Sequence, residues 1–152
     1  MKKLCAILIC LVLVLSGCGK GDYKGYVSDL CAVDISASTV VSSQDSHGGF
    51  NGDGVLAVTF DCTNVSDSAL NGMRSWPLFP LTENLRHVVY GGFNDEIDIP
   101  EIANGCYFFH DRHSEAVDPT DDSKLFDRYS YNFSLLLFDF DTNMMYLIEV
   151  DT

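Results

Sequence analysis

The stretch that most restricts the fold is a pair of apolar runs near the C-terminus, Tyr129 to Phe140 and Met144 to Val150. In the first, Tyr129, Tyr131, Phe133, Leu135 and Leu137 share one face at period two. In the second, Tyr146, Ile148 and Val150 do the same. A period of two is the signature of a strand, and a connection this short joins antiparallel neighbours. Placing Phe140 opposite Met145 pairs Leu137 with Ile148 and Leu135 with Val150 on one face, and Phe138 with Leu147 on the other. A slip of one residue would set Leu135 against Glu149 and mix the faces, so the pattern specifies which side chains point together. Both faces are apolar near the turn, which requires cover on both sides there.

The rest of the chain supplies further elements. Val33 to Ser42 alternates, with Val33, Ile35, Ala37, Thr39 and Val41 on one face, and predicts a half-buried strand. Leu56, Val58, Phe60 and Cys62 alternate against Ala57, Thr59 and Asp61 and predict its hairpin partner. The glycine-rich stretch 44–54 is the loop between them. Ser66 can cap a short helix with Asp67 in its first turn, an apolar stripe at Ala69, Leu70 and Met73, and a stop at Trp76-Pro77. Thr82 can cap a second, with Leu85, Val88 and Val89 inward and Gly91 past its end. Trp76 to Leu81 is apolar and broken by prolines, and is read as a plug under the sheet. Gly105 to His110 predicts another strand, while 92–104 and 111–127 show no period. The order predicts one α+β domain, a largely antiparallel sheet of about five strands with two short helices on one side.

The N-terminus says where such a domain would work. Met1-Lys2-Lys3 is a basic head, Leu4 to Leu15 is an uncharged apolar run, and Leu15-Ser16-Gly17-Cys18 follows. This is the layout of a secretory signal peptide, and the run is shorter than the roughly 20 residues of a spanning helix. Leu-Ser-Gly-Cys resembles the lipobox of bacterial lipoproteins. The resemblance implies cleavage after residue 17, a diacylglyceryl group on the Cys18 thiol, and attachment to a bacterial membrane on its extracytoplasmic face. Two acyl chains anchor stably where one does not. The expected organisation is a signal peptide over 1–17, a flexible tether over 18–30 and a globular domain over 31–152.

Charge narrows the partners. The chain carries 22 acidic and 9 basic residues, a net −13, and loss of Lys2 and Lys3 with the leader makes the remainder two charges more negative. Phosphate binding needs clustered Lys and Arg, so nucleic acid is not an expected partner. Membrane contact is expected through the lipid on Cys18, and a protein partner fits beside it. Cys5 and Cys10 fall in the leader, leaving Cys31, Cys62 and Cys106. Their spacing is unlike a zinc site. Buried thiols are the favoured reading, with a Cys31–Cys62 disulfide as the alternative.

Two loops could carry chemistry. In His47-Gly48-Gly49-Phe50-Asn51-Gly52-Asp53-Gly54 the glycines permit close approach of a ligand, but neither a phosphate-binding loop nor an EF-hand spacing is present. The stretch from His110 to Ser123 gathers His110, His113, Arg112, Ser114 and five carboxylates. There Asp118, Asp121 and Asp122 are candidate oxygen ligands for Ca²⁺, against the plainer reading of a solvated acidic loop. The chain is also similar to small uncharacterised lipoproteins of Gram-positive bacteria in His47-Gly48-Gly49-Phe50, in Trp76 with Pro80-Leu81, in Asp111-Arg112-His113-Ser114-Glu115 with Asp118-Pro119, and in the aromatic C-terminal hairpin. That likeness implies one compact lipoprotein domain and no activity. The leading expectation is a lipid-anchored extracytoplasmic binding or interaction module with no catalytic residues. The alternatives are a metal-dependent or other hydrolase using the 110–123 loop, and a structural envelope component.

Overall fold

The computed structural model describes residues 21–48, 52–93, 95 and 97–152. The expected signal peptide and Cys18 lie outside the described residues, as do Gly49, Phe50 and Asn51 of the glycine-rich loop. The elements run α1 (Tyr23–Cys31), β1 (Thr39–Asp45), β2 (Gly54–Asp61), α2 (Asp67–Met73), α3 (Glu83–Tyr90), β3 (Gly105–Asp111), a 3-10 turn (Leu125–Asp127), β4 (Asn132–Asp139) and β5 (Met144–Asp151). The five strands form one antiparallel sheet in the order β1-β2-β5-β4-β3. This is the expected α+β architecture, with three helices rather than two among the described residues.

The helices divide between the two faces of the sheet. One face presents Leu56, Val58, Phe60, Leu136, Phe138 and Leu147 to α1 and α2. The other presents Phe133, Leu135, Leu137, Ile148 and Val150 to α3 and the 3-10 turn. The central pair β4 and β5 is thus buried on both sides, as an apolar run on both faces demands.

Helix α1 corrects the expected tether over 18–30. From Tyr23 onward the chain is helical, begun by Asp22, whose side chain accepts from the Gly25 amide at 3.0 Å. Tyr23, Val27, Leu30 and Cys31 recur at helical spacing, and Val27 and Cys31 are buried in the core. The globular domain therefore starts about eight residues before the expected boundary at residue 31.

The predicted first strand is also displaced. Residues 33–38 turn instead of extending: Asp34 accepts from the Ser36 amide, Ser38 donates its amide to the Ile35 carbonyl, and the Ile35 amide is taken by the Ser28 hydroxyl. Side-chain capture of a backbone amide by Asp is a turn device that competes with a strand. Val33 and Ile35 are buried all the same, against α1 and α2. The strand itself begins at Thr39, and all seven of its residues are exposed.

In the C-terminal hairpin the faces are as expected and the pairing is moved by two residues. Leu135 faces Ile148, Leu137 faces Tyr146, and Phe138 faces Met145. The turn sets this register. Asp139 accepts from the Asp141 amide at 2.9 Å and the Thr142 hydroxyl at 2.7 Å, and Asn143 takes the left-handed conformation with φ 55°. A shift of two preserves side-chain parity, so hydrophobic patterning alone could not detect it.

Ser66 and Thr82 cap α2 and α3, accepting from the amides of Ala69 and Leu85. The segment after α2 is not a plug under the sheet. Trp76 and Leu81 are buried, but Pro77 to Phe79 runs along the outer edge of β3. The Phe79 amide donates to Gly105, the Tyr107 amide donates to Pro77, and Leu78 bridges to Cys106.

Candidate functional site

The strand polarity carries the two chemistry-bearing loops to the same end of the sheet, where β1, β3 and β5 finish and β2 and β4 begin. The residues that meet there are not all those singled out in the sequence. His47 Nδ1 lies 2.7 Å from Asp45 at the end of β1, and its Nε2 lies 3.2 Å from Asp151 at the end of β5. Arg112, just past β3, reaches the other oxygen of Asp151 at 3.0 Å, Glu149 at 3.5 Å and the Phe133 carbonyl at 3.3 Å. Glu149 in turn accepts from the Ser134 hydroxyl at 2.9 Å and from the Tyr26 hydroxyl of α1. The result is a continuous polar row: Asp45, His47, Asp151, Arg112, Glu149, Ser134 and Tyr26.

This row ties elements together. His47 and its own amide hold the Asp45 carboxyl below the usual carboxylate range. Burial, followed by the hydrogen bond to Glu149, raises the Tyr26 hydroxyl above its ordinary value. Ser134 is fully buried, so no substrate atom can approach its oxygen. Gly54 is glycine for a local reason, since a Cβ there would stand 2.5 Å from the backbone of His47. The backbone of His47 closes directly against Gly54.

The 110–123 loop is pinned more firmly than a solvated acidic loop. Asp111 is 3% exposed and forms an ion pair with Arg128, while its other oxygen accepts from the His113 amide at 2.9 Å. His113 is also buried. Its Nδ1 accepts from the Glu115 amide at 3.2 Å, which leaves the proton on Nε2, directed at the Ser130 hydroxyl 3.1 Å away. A ring committed in this way cannot take the proton of Ser130, so the pair is not a base and nucleophile. Ser114 is exposed. His110, on β3, stacks on Phe108 on the α1 side of the sheet, away from the Asp111–Arg128 pair.

The three candidate calcium ligands have separate commitments. Asp118 accepts from the amide and hydroxyl of Thr120, and Asp121 from those of Ser123. These bonds, the amide first in each case, lower both carboxyls from the usual range. Asp122 instead accepts from the Thr82 hydroxyl at 2.5 Å, while its carbonyl accepts from the Asn84 side-chain Nδ2 at 2.8 Å, which docks the loop on the start of α3. Asp118 and Asp121 border an open depression of about 360 Å³ that also holds Glu115, Asp127, Lys124 and Arg128. Among the described residues, no group of three or more His, Cys, Asp or Glu side chains is gathered to hold a metal ion.

Cys31, Cys62 and Cys106 are free and buried. Burial pushes the thiols of Cys62 and Cys106 up to about 12, with Asp61 adding to the effect at Cys62. They therefore remain protonated and unreactive at neutral pH.

The surface that sequence reading passed over is the outer edge of β1. Among the described residues no strand pairs with it, and Val40 and Val41 are 39% and 59% exposed. A bulge at Val41 separates Val40, opposite Phe60, from the regular stretch Ser42–Asp45, opposite Leu56–Thr59. The only prior signal was the unbroken run of small and β-branched residues in Thr39-Val40-Val41-Ser42-Ser43, which favours a strand without saying whether it is central or peripheral. Comparison with protein-family models, with curated proteins and with solved structures finds no match for this chain.

Proposed function

We propose that this protein is a lipid-anchored, extracytoplasmic interaction module that presents its β1 edge to a protein partner. The observation that carries this reading is the unequal treatment of the two sheet edges: β3 is strapped by Pro77 to Phe79, and among the described residues nothing pairs with the outer side of β1. An exposed strand edge is a template for pairing with another chain. The polar groups at the loop end are spent on one another, which favours an interaction role over catalysis at the 110–123 loop. The Leu15-Ser16-Gly17-Cys18 sequence supports the anchor, and the described helices include none long and apolar enough to cross a membrane.

Two measurements test the reading. Cys18→Ser should release the protein from the membrane fraction or leave an uncleaved precursor; unchanged fractionation and migration would reject the anchor. A photo-crosslinking residue at Val41 should capture a partner in the native cell far more efficiently than one at Leu78, which is equally exposed but lies on the strapped edge. Equal capture at both positions would reject β1 as the interaction surface.

A further inference from the structure

Resting on the interaction-module reading, we infer that the β1 edge takes an extended, basic polypeptide segment as an added antiparallel strand, with a Lys or Arg side chain seated beside Asp98. The argument starts from the sheet. Ser42 and Gln44 pair with Thr59 and Ala57, which pair with Tyr146 and Ile148, so this row of side chains is on the α3 side of the sheet. Leu85, Val88 and Val89 of α3 share a core cluster with side chains of β4 and β5 and with Val55 of β2, and no described β1 residue belongs to that cluster. A cleft of about 190 Å³ remains over β1 and β2, lined by Ser42, Gln44, Ala57, Thr59 and Tyr146, with Asp98 in its wall. Ile99 stands beside Asp98 in that wall.

An added strand alternates its side chains between the two faces of the sheet. Along Ser42–Asp45, every second side chain of the visitor would lie on the cleft side, over Ser42 and Gln44. The floor there mixes the polar Ser42, Gln44 and Thr59 with Ala57 and Tyr146, and the wall offers the Asp98 carboxylate beside Ile99. A long aliphatic stem ending in a cation fits both, because it covers the floor with methylenes and brings its charge to Asp98. On the other side of the sheet the visitor would meet exposed Val40, which suits a β-branched or apolar side chain. Asp95 and Glu101 add negative charge to the segment that forms the wall, and the whole chain carries −13. That field attracts a basic segment and opposes a second copy of this acidic protein. The bulge at Val41 also limits regular pairing to four residues, which suits a short peptide better than a long strand from an identical chain.

The test uses purified full-length protein and fluorescently labelled nonapeptides alternating Lys with Val or Thr. Anisotropy titration should show saturable binding. N-methylation of alternate peptide amides should weaken it by at least about tenfold, the effect of losing two or more main-chain hydrogen bonds. Replacing Lys by Glu should abolish it, and Asp98→Asn should weaken it by about two- to fivefold, the range for an exposed ion pair. Equal binding of the N-methylated and unmethylated peptides would overturn the added-strand geometry and leave only charge attraction. Absence of binding to the Lys peptide at millimolar concentration would overturn the basic partner. A concentration-dependent dimer in sedimentation that Val41→Lys dissolves would overturn it in favour of a second copy. If the Lys peptide fails while Val41 still captures a partner in cells, the partner's chemistry is wrong and the interaction surface stands. If both fail, the module reading falls with it.

Discussion

The two edges of the sheet received opposite treatment from one chain. Strand β3 is enclosed: its outer side takes main-chain hydrogen bonds from Pro77 to Phe79, and its end is fixed by the Asp111–Arg128 ion pair. Strand β1 is exposed along its whole length and is held by β2 on one side and by the His47 clasp at its end. An edge that threatens aggregation can be strapped, bulged or charged. Here the first device protects β3, and only the weaker second one is present on β1. Among the described residues the β3 edge is the enclosed one and the β1 edge the exposed one.

The largest effect expected from this contrast is at the strapped edge. Arg128→Met would leave the Asp111 carboxylate buried without its cation, a loss of about 3–5 kcal/mol for a broken buried pair, measured as a fall in urea midpoint. A loss below 1 kcal/mol would show that water replaces the guanidinium and that β3 is less enclosed than described. Next is the shared centre. Leu135→Ala and Ile148→Ala remove facing, fully buried side chains and should each cost about 2–5 kcal/mol. A double-mutant cycle should show coupling between them, as neighbours do, and weaker coupling between Leu137 and Ile148. The reverse order would restore the pairing that patterning alone suggested.

The third effect is read in pH. Cys62 and Cys106 hold their protons to about 12, whereas an unfolded thiol ionises near 8.5. Between those values the unfolded state binds fewer protons, so stability is unchanged by these groups below about pH 8.5 and falls as pH rises toward 12. Replacing both cysteines with Ala should flatten that alkaline slope. A slope unaltered by the replacement would assign it to other groups. A smaller effect belongs to Thr82, which caps α3 and donates to Asp122. Thr82→Ala should cost about 1 kcal/mol and quicken amide exchange in both α3 and the 120–125 segment; a change confined to α3 would mean that Asp122 does not dock the loop. Smallest of all, Ser43→Ala and Val41→Lys on the bare edge should change stability by no more than about 0.5 kcal/mol. A larger loss would reveal that β1 is covered after all. Ser130→Ala should cost more than these substitutions, since its hydroxyl meets His113 at 3.1 Å.

Much of this was legible along the chain. Period-two runs located β2, β4 and β5, an apolar aromatic run located β3, and Ser66 and Thr82 marked two helix starts, because local hydrogen bonding and side-chain parity act over a few residues. The Tyr23, Val27, Leu30 and Cys31 stripe was equally readable but was masked by Gly25 and the charges around it. β1 was misplaced because a strand exposed on both faces carries no alternation, while the buried Val33 and Ile35 imitate one in a segment that turns. The two-residue register shift lay beyond patterning because it leaves every side chain on its own face. The polar row from Asp45 to Tyr26 could not be inferred at all. Its members are scattered from residue 26 to residue 151 and are brought together only by the strand order.

The sequence by itself determined the alternating strands, the helix caps, the acidic charge and the lipobox-like N-terminus, all of which are written in neighbouring residues. Only the tertiary structure decided that the helices divide between two faces, that Asp122 serves a helix cap while Asp118 and Asp121 close turns, that the His47 backbone closes against Gly54, and that one edge is strapped while no described segment pairs with the other. Those outcomes depend on which distant segments compete for the same backbone groups and the same apolar surface. That competition is settled by packing of the whole chain, and no local stretch contains it.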